Sequence, residues 1–174
     1  MSRIDYRLNI IKGIAFDMDG VLSASTVSVR EDGTLQRHSN VKDGYALQHA
    51  IRQGLKIAVV SGANDESMLP AYRSLGLTDI YFRCYDKEAK MAEWMKMHGL
   101  TREQVVFVGD DIPDIPAMHM AGLAAVPHDA SVEAKQEAGY ISPFNGGQGV
   151  ARDIISQVMI AKGLWLNAPD AFKW

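Results

Sequence analysis

The sequence predicts an α/β fold: a Rossmann-like, doubly wound parallel sheet with a small β-hairpin inserted after the first strand and no large cap domain. Three observations carry this. Short apolar runs alternate with helix-length amphipathic segments along almost the whole chain. The runs at 14–16, 57–60 and 105–108 are continuously apolar, as strands covered on both faces of a parallel sheet must be. Several of them stop at acidic or small polar residues, which suits the crevice at the carboxyl ends of such strands.

Each element has its own justification. Residues 10–16, interrupted by Lys12-Gly13, read as the first strand. Residues 24–41 read as a hairpin: β-branched residues at 26–29, a turn at Glu31-Asp32-Gly33-Thr34, and a return over 35–41. Asp43 is a candidate cap for a helix over 44–53, whose apolar stripe is Tyr45, Leu47, Ala50 and Ile51 and whose stop is Gly54. A strand follows at 55–60. Asp65 or Glu66 opens a helix running to about 75, ended by Gly76, and 80–84 reads as a short strand. Residues 86–98 form a helix with Ala89, Ala92, Trp94 and Met95 on its apolar side, stopped by Gly99. Thr101-Arg102-Glu103-Gln104 resembles a capping box before the strand at 105–108. A short helix at 115–122, a strand at 123–126, a helix at 131–138, a strand at 140–141 and a helix at 150–161 complete the series. The tail at 164–174 carries Trp165, Phe172 and Trp174, and is expected to dock on the body of the domain or on a neighbouring subunit.

The 174 residues, 47% hydrophobic and 22% charged, predict a single domain over 1–174 with a full core. A net charge of −3 and the absence of Lys/Arg runs argue against nucleic acid as a partner. No apolar run approaches a membrane span, and residues 1–9 lack the apolar core of a secretory signal, so no membrane partner and a cytoplasmic location are expected. Cys84 is the only cysteine, which excludes internal disulfides and multi-thiolate zinc sites.

The chemistry concentrates at strand ends. Asp17 and Asp19 lie two residues apart where the first strand stops, and side chains at that spacing on a strand point the same way. Two carboxylates held together need a positive partner, and a hard cation such as Mg²⁺ takes oxygen ligands. Ser61-Gly62 follows the second strand, Lys87 follows the third, and Gly109-Asp110-Asp111 with Asp114 follows the fourth. Taken singly, Ser61-Gly62 reads equally as a turn, Lys87 as a solvated lysine, and Asp110-Asp111 and Asp114 as helix caps. Converging on one crevice, they suit phosphoryl transfer: a carboxylate nucleophile, a metal held by acids, and a lysine and hydroxyl for phosphoryl oxygens.

In this order the motifs Asp17-Met18-Asp19-Gly20-Val21, Ser61, Lys87 and Gly109-Asp110-Asp111-Ile112-Pro113-Asp114 resemble those of the haloacid dehalogenase-type phosphatases. The short hairpin, Val41-Lys42-Asp43-Gly44-Tyr45 and Gly146-Gly147-Gln148-Gly149 look like the capless 3-deoxy-D-manno-octulosonate 8-phosphate phosphatases. The tail Lys162-Gly163-Leu164-Trp165 with terminal Phe172-Lys173-Trp174 looks like their Bacteroidetes-type branch. The resemblance implies a Mg²⁺-dependent homotetramer that hydrolyses a small-molecule sugar phosphate for lipopolysaccharide precursor synthesis. It implies Asp17 as nucleophile and Asp19 as general acid and then base. The metal would be held by the carboxylates of Asp17 and Asp110 and the main-chain carbonyl of Asp19. Asp111 and Asp114 would hold the metal's waters, and Ser61 and Lys87 the phosphoryl group. Lys42, Gly62, Asn64, Arg73 and Gln148 are candidate substrate contacts.

Arginines usual in the group are absent at Asn64, Leu69, Ala71 and Gln148, so a sugar-acid carboxylate lacks its usual fork. Arg73, Arg37, Lys42 or a neighbour's residue are the substitutes in view. Competing readings are a phosphatase for another sugar phosphate, such as a nonulosonate 9-phosphate, a receiver-like signalling domain, and a non-catalytic module on the same fold. Against the receiver, the phosphorylated Asp of such a domain lies on a middle strand, where this chain has Ser61.

Overall fold

The computed structural model describes residues 4–174; of the 1–9 segment, residues 1–3 lie outside it. Among the described residues eight strands form: β1 (Gly13–Phe16), β2 (Ser28–Val29), β3 (Leu35–Gln36), β4 (Lys56–Val60), β5 (Asp79–Tyr81), β6 (Val105–Val108), β7 (Leu123–Val126) and β8 (Tyr140–Ile141). The helices are α1 (Val41–Arg52), α2 (Leu69–Ser74), α3 (Lys87–His98), α4 (Ile115–Met120), α5 (Val132–Glu137) and α6 (Val150–Ala161). Six strands build one sheet in the order β5-β4-β1-β6-β7-β8, every neighbouring pair parallel. The chain leaves β1 toward β4 and β5 on one side and returns through β6, β7 and β8 on the other. The order therefore reverses between β1 and β6, where a doubly wound sheet opens its ligand crevice.

The continuous apolar runs have a direct explanation. Alternate residues of each central strand enter different cores. Ile14, Phe16, Ile57, Val59, Val106 and Val108 face α1 and α6, where Leu47, Ile154, Ile155 and Val158 are buried. Ala15, Ala58, Val60, Val105 and Phe107 face α3, α4 and α5, where Met91, Trp94, Met118 and Ala134 are buried. A polar residue on either face of β1, β4 or β6 would sit unpaired in one of these cores.

Several boundaries differ from the sequence reading. The first strand does not span 10–16: Leu8–Ile10 is a turn of 3-10 helix, and β1 begins at Gly13. A Cβ on Gly13 would come within 2.7 Å of Leu100 and 2.8 Å of Trp94, so glycine lets the strand start against α3. The hairpin at 24–41 pairs only β2 with β3, because Val41 already belongs to α1. Asp43 is not the cap of α1. Asn40 takes that place, its side chain accepting from the Lys42 N–H at 2.9 Å. Asp43 is buried one turn later and accepts the Arg152 N–H at 2.7 Å, tying α1 to α6. The helix expected from Asp65 starts only at Leu69, because Asp65 instead accepts from the Ser67 N–H and hydroxyl in a turn. The strand expected at 80–84 is over at Tyr81, and Arg83 beyond it takes a left-handed φ of 57°. The strands at 105–108, 123–126 and 140–141 and the helix at 150–161 coincide with the expectation.

The tail docks on the body of its own chain. Tyr45 of α1 meets the rings of Trp165 and Trp174 edge-on at 6.0 and 5.8 Å, and its hydroxyl donates to the Ala171 carbonyl. Gln53 donates to Asp170 at 2.8 Å, and Ala168 and Ala171 are buried. No helix among the described residues is long and apolar enough to cross a membrane.

Candidate active site

Four strand ends supply the site, and the local sequence explains how each does so. Asp17 follows the last residue of β1, its N–H donating to the Val108 carbonyl at 2.8 Å, which holds it level with the end of β6. Gly20 takes φ +82° two residues beyond Met18, so the chain turns back over the sheet edge. Ser61 directly follows β4, its N–H donating to the Tyr81 carbonyl at 2.9 Å. Asp86 caps α3 by accepting the Ala89 N–H at 2.9 Å, which places Lys87 at the first position of that helix and inside the site. After β6, the Asp114 side chain accepts the N–H groups of Asp110 (2.8 Å) and Asp111 (3.3 Å), folding the Gly109–Asp114 segment into a tight turn. A Cβ on Gly109 would lie 2.7 Å from Asp114 Oδ2, so that turn closes only over a glycine.

These elements bring eight of the anticipated residues to one cleft of about 510 Å³: Asp17, Asp19, Ser61, Gly62, Lys87, Asp110, Asp111 and Asp114. Lys87 Nζ sits between two carboxylates, 3.0 Å from Asp17 Oδ2 and 2.6 Å from Asp114 Oδ1. One oxygen each from Asp17, Asp110 and Asp114 lies within 4.8 Å of the others. Burial, reinforced by Asp114, pushes the Asp17 carboxyl up to about 7 despite Lys87. Burial, with Asp114, Asp17 and Asp111 adding to it, pushes Asp110 up to about 8. Burial alone would pull Lys87 down, but Asp17 and Asp114 together raise it, so its charge is secure. One ammonium therefore leaves the acidic cluster under-neutralised, and an all-oxygen site with excess negative charge fits a hard divalent cation.

Asp19 stands apart from that cluster. β1 ends at Phe16, so the strand alternation used to align Asp17 with Asp19 does not extend to them. The Asp19 carboxylate lines the cleft but is gripped by Arg37, which donates from Nε to Oδ1 (2.7 Å) and from Nη2 to Oδ2 (2.9 Å). Asn64 accepts from the hydroxyl of Tyr85, a lining residue, at 2.7 Å. Lys42, Arg73 and Gln148 are exposed and do not line the cleft, so none of the three stands in for the absent arginines in this chain taken alone.

Sequence reasoning missed three supports. Arg37 entered only as a possible carboxylate receptor, whereas it is buried against Asp19 and Asp65. Ser23 donates to Asp19 Oδ1 at 2.9 Å. Gly146 packs so closely on the first loop that a Cβ would lie 2.6 Å from the Gly20 carbonyl carbon. The run Gly146-Gly147-Gln148-Gly149 was the one visible signal for the last of these; the Ser23 contact depends on the turn of the first loop, and the Arg37 contact on how the hairpin folds back.

Comparison with known proteins agrees with this geometry. The chain is similar to the 3-deoxy-D-manno-octulosonate 8-phosphate phosphatase of Escherichia coli (strain K12), 28% identical over 153 residues, which is 88% of this chain and 81% of that protein. It is similar to the crystal structure of the phosphatase of the same name from Yersinia pestis, with a TM-score of 0.89, 27% identity, and coverage of 92% of this chain and 87% of that one. It also resembles the Moraxella catarrhalis phosphatase of that name, solved with a magnesium ion, a phosphate ion and a KDO molecule (TM-score 0.86, 25% identity, 90% of each chain). The family model for haloacid dehalogenase-like hydrolases matches residues 24–122, a span that includes Ser61, Lys87, Asp110 and Asp114. With the acidic cluster, the bridging lysine and the sheet order in agreement, this chain belongs to the haloacid dehalogenase-like hydrolases.

Proposed function

We propose that this protein is a Mg²⁺-dependent phosphomonoester hydrolase that works through an aspartyl-phosphate on Asp17, and that its substrate is 3-deoxy-D-manno-octulosonate 8-phosphate, a step in lipopolysaccharide precursor synthesis. The observation that carries the reading is Lys87 Nζ held 3.0 Å from Asp17 and 2.6 Å from Asp114, with an Asp110 oxygen within 4.8 Å of those carboxylates, at the mouth of the β1–β6 switch point. The relatives bearing this substrate's name span 88% of the chain, and the Moraxella protein's magnesium, phosphate and KDO supply the chemical precedent.

An Asp17 oxygen attacks phosphorus in line as the bond to the sugar oxygen breaks. Asp19 gives a proton to that departing oxygen. Water then attacks the aspartyl-phosphate, Asp19 takes its proton, and inorganic phosphate leaves with Asp17 restored. Lys87 and the Ser61 hydroxyl hold phosphoryl oxygens, and the Lys87 charge offsets the negative charge that builds there. Asp17, Asp110 and the Asp19 carbonyl would hold Mg²⁺, with Asp111 and Asp114 steadying its waters; when bound it screens carboxylate from phosphate and draws in a phosphoryl oxygen. Both Asp114 oxygens already accept from Lys87 and two N–H groups, so Asp114 also holds the cluster in shape.

The absence of arginine at Asn64, Leu69, Ala71 and Gln148 favours one second reading, a related sugar-acid phosphate such as a nonulosonate 9-phosphate. The cleft has no cap domain over it, which supports a homotetramer in which the hairpin at 24–41 packs between subunits and closes neighbouring sites. A cytoplasmic location fits a sugar-phosphate substrate. The test is a phosphate-release screen with Mg²⁺ across sugar-acid phosphates, hexose phosphates and nucleotides, run beside Asp17→Asn. Loss of a covalent nucleophile is expected to reduce turnover at least about a thousandfold. An Asp17→Asn variant as active as the unsubstituted protein removes Asp17 from its role.

A further inference from the structure

We propose that Arg37, in the hairpin insertion, is a positioning residue for Asp19: it fixes which oxygen of that carboxylate exchanges protons with the leaving group. This rests on the phosphatase reading above and extends it to a residue outside the four motifs.

The geometry is specific. Arg37 follows β3, and its side chain is 2% exposed, while the Asp19 side chain it grips is 34% exposed. The guanidinium thus lies behind the carboxylate, and the carboxylate faces the cleft. Nε and Nη2 form a two-pronged fork on Oδ1 (2.7 Å) and Oδ2 (2.9 Å). The remaining prong, Nη1, donates to Asp65 Oδ2 at 2.8 Å. Asp65 is itself held by the Ser67 N–H at 2.8 Å and the Ser67 hydroxyl at 3.0 Å, so the fork is anchored at its far end. Ser23 Oγ lies 2.9 Å from Asp19 Oδ1 and 3.2 Å from the Met18 carbonyl, and its one proton goes to the shorter contact, on the charged Oδ1.

A carboxylate offers about four lone-pair positions, two on each oxygen. Arg37 fills one on each oxygen and Ser23 fills the second on Oδ1. One position remains, on Oδ2. Proton exchange therefore runs through that position: Oδ2–H gives its proton to the sugar oxygen as the P–O bond breaks and the Asp17–phosphorus bond forms, and Oδ2 later receives the proton of the attacking water. A planar, doubly donating guanidinium is needed for this, since a lysine ammonium cannot make the fork. The hairpin then does more than cover the site. Its placement sets the rotamer of the proton donor.

Leaving groups separate this role from a merely structural one. A sugar alkoxide is strongly basic and must be protonated as it departs, whereas 4-nitrophenolate leaves without a proton. The quantity to compare is kcat/KM, which covers only the steps through leaving-group departure. It is measured with Mg²⁺ for 4-nitrophenyl phosphate and for an alkyl phosphate that the unsubstituted protein turns over, 3-deoxy-D-manno-octulosonate 8-phosphate first. Misplacing a reacting group by about 1 Å costs on the order of a hundredfold, so Arg37→Met is expected to lower the alkyl-to-aryl ratio by about ten- to a hundredfold. Arg37→Lys should lower it nearly as far. The ratio does not depend on how much of a preparation is folded, because unfolded protein lowers both activities alike. An unchanged ratio in Arg37→Met, with phosphate still released, overturns this proposal alone. No release from either ester by the unsubstituted protein overturns the phosphatase reading and this one together.

Discussion

Gly20→Ala and Gly33→Ala form a pair that separates backbone strain from damage to the acidic cluster. Both glycines have nearly the same left-handed backbone, φ +82° and +80°. An alanine in that region costs roughly 1–2 kcal/mol wherever it sits. At Gly33, on the hairpin turn, an added Cβ meets nothing within 4 Å. At Gly20 it would overlap the Asp110 carboxyl group, with Oδ1 2.7 Å away and Oδ2 closer. The carboxylate must then retreat by about 1 Å, a displacement that can cost on the order of a hundredfold in rate when it falls on a reacting constellation. Both variants are therefore expected to melt about 2–8 °C below the unsubstituted protein, from the strain they share. Only Gly20→Ala is expected to lose phosphate release, by about a hundredfold. Phosphate release from 4-nitrophenyl phosphate at saturating Mg²⁺, beside a thermal melt of the same samples, measures both. Near-normal activity in Gly20→Ala, or an equal loss in both variants, refutes the assignment of Asp110 to the reacting cluster.

Two further outcomes follow from the raised carboxyls. With Asp17 and Asp110 pushed up to about 7 and about 8, some of these groups hold protons at pH 7, and a divalent cation displaces them. Mg²⁺ titrated into chelator-treated protein at pH 7 should release protons, seen as a buffer-dependent heat. Asp110→Asn should shrink that release and raise the Mg²⁺ needed for half-maximal activity by at least about tenfold; an unaltered Mg²⁺ dependence would remove Asp110 from the metal's ligands. Burial pushes the Asp43 carboxyl from 3.8 up to about 6, against the N–H groups of Arg152 and Gly149. Between these values the folded protein keeps a proton that the unfolded chain has lost, so stability falls as pH rises from about 4 to about 6 and stays lower above that. The gap amounts to about 3 kcal/mol. Urea denaturation should show Asp43→Asn gaining on the unsubstituted protein by up to that amount between pH 4 and pH 7; parallel pH curves would show that Asp43 does not titrate in this window.

The cleft of this molecule was legible at its strand ends because a buried parallel strand announces itself by composition. β6, β7 and α6 were placed to the residue, since runs such as Val105–Val108 leave no alternative face to choose. The helix starts were less legible. Asn40 and Asp43 are both good caps, and only the packing of α1 on α6 decides that Asp43 spends its oxygen on Arg152. Asp65 looked like a cap for the same reason and serves as the anchor of Arg37.

By itself the sequence determined which side chains lie at the carboxyl edge of the sheet, because strand period, helix-stopping glycines and the places of Asp17, Ser61, Lys87 and Asp110 after their own apolar runs are local properties of the chain. Tertiary structure alone decided how those groups are charged and held. It put Lys87 between Asp17 and Asp114, left the acidic cluster short of positive charge, turned Asp19 toward Arg37, and seated Trp174 against Tyr45. The physical reason is range. A residue's place on a strand or helix depends on neighbours a few positions away. Its protonation and hydrogen-bond partners depend on burial and on charges from segments tens of residues distant, which come within 3 Å only when the chain has folded.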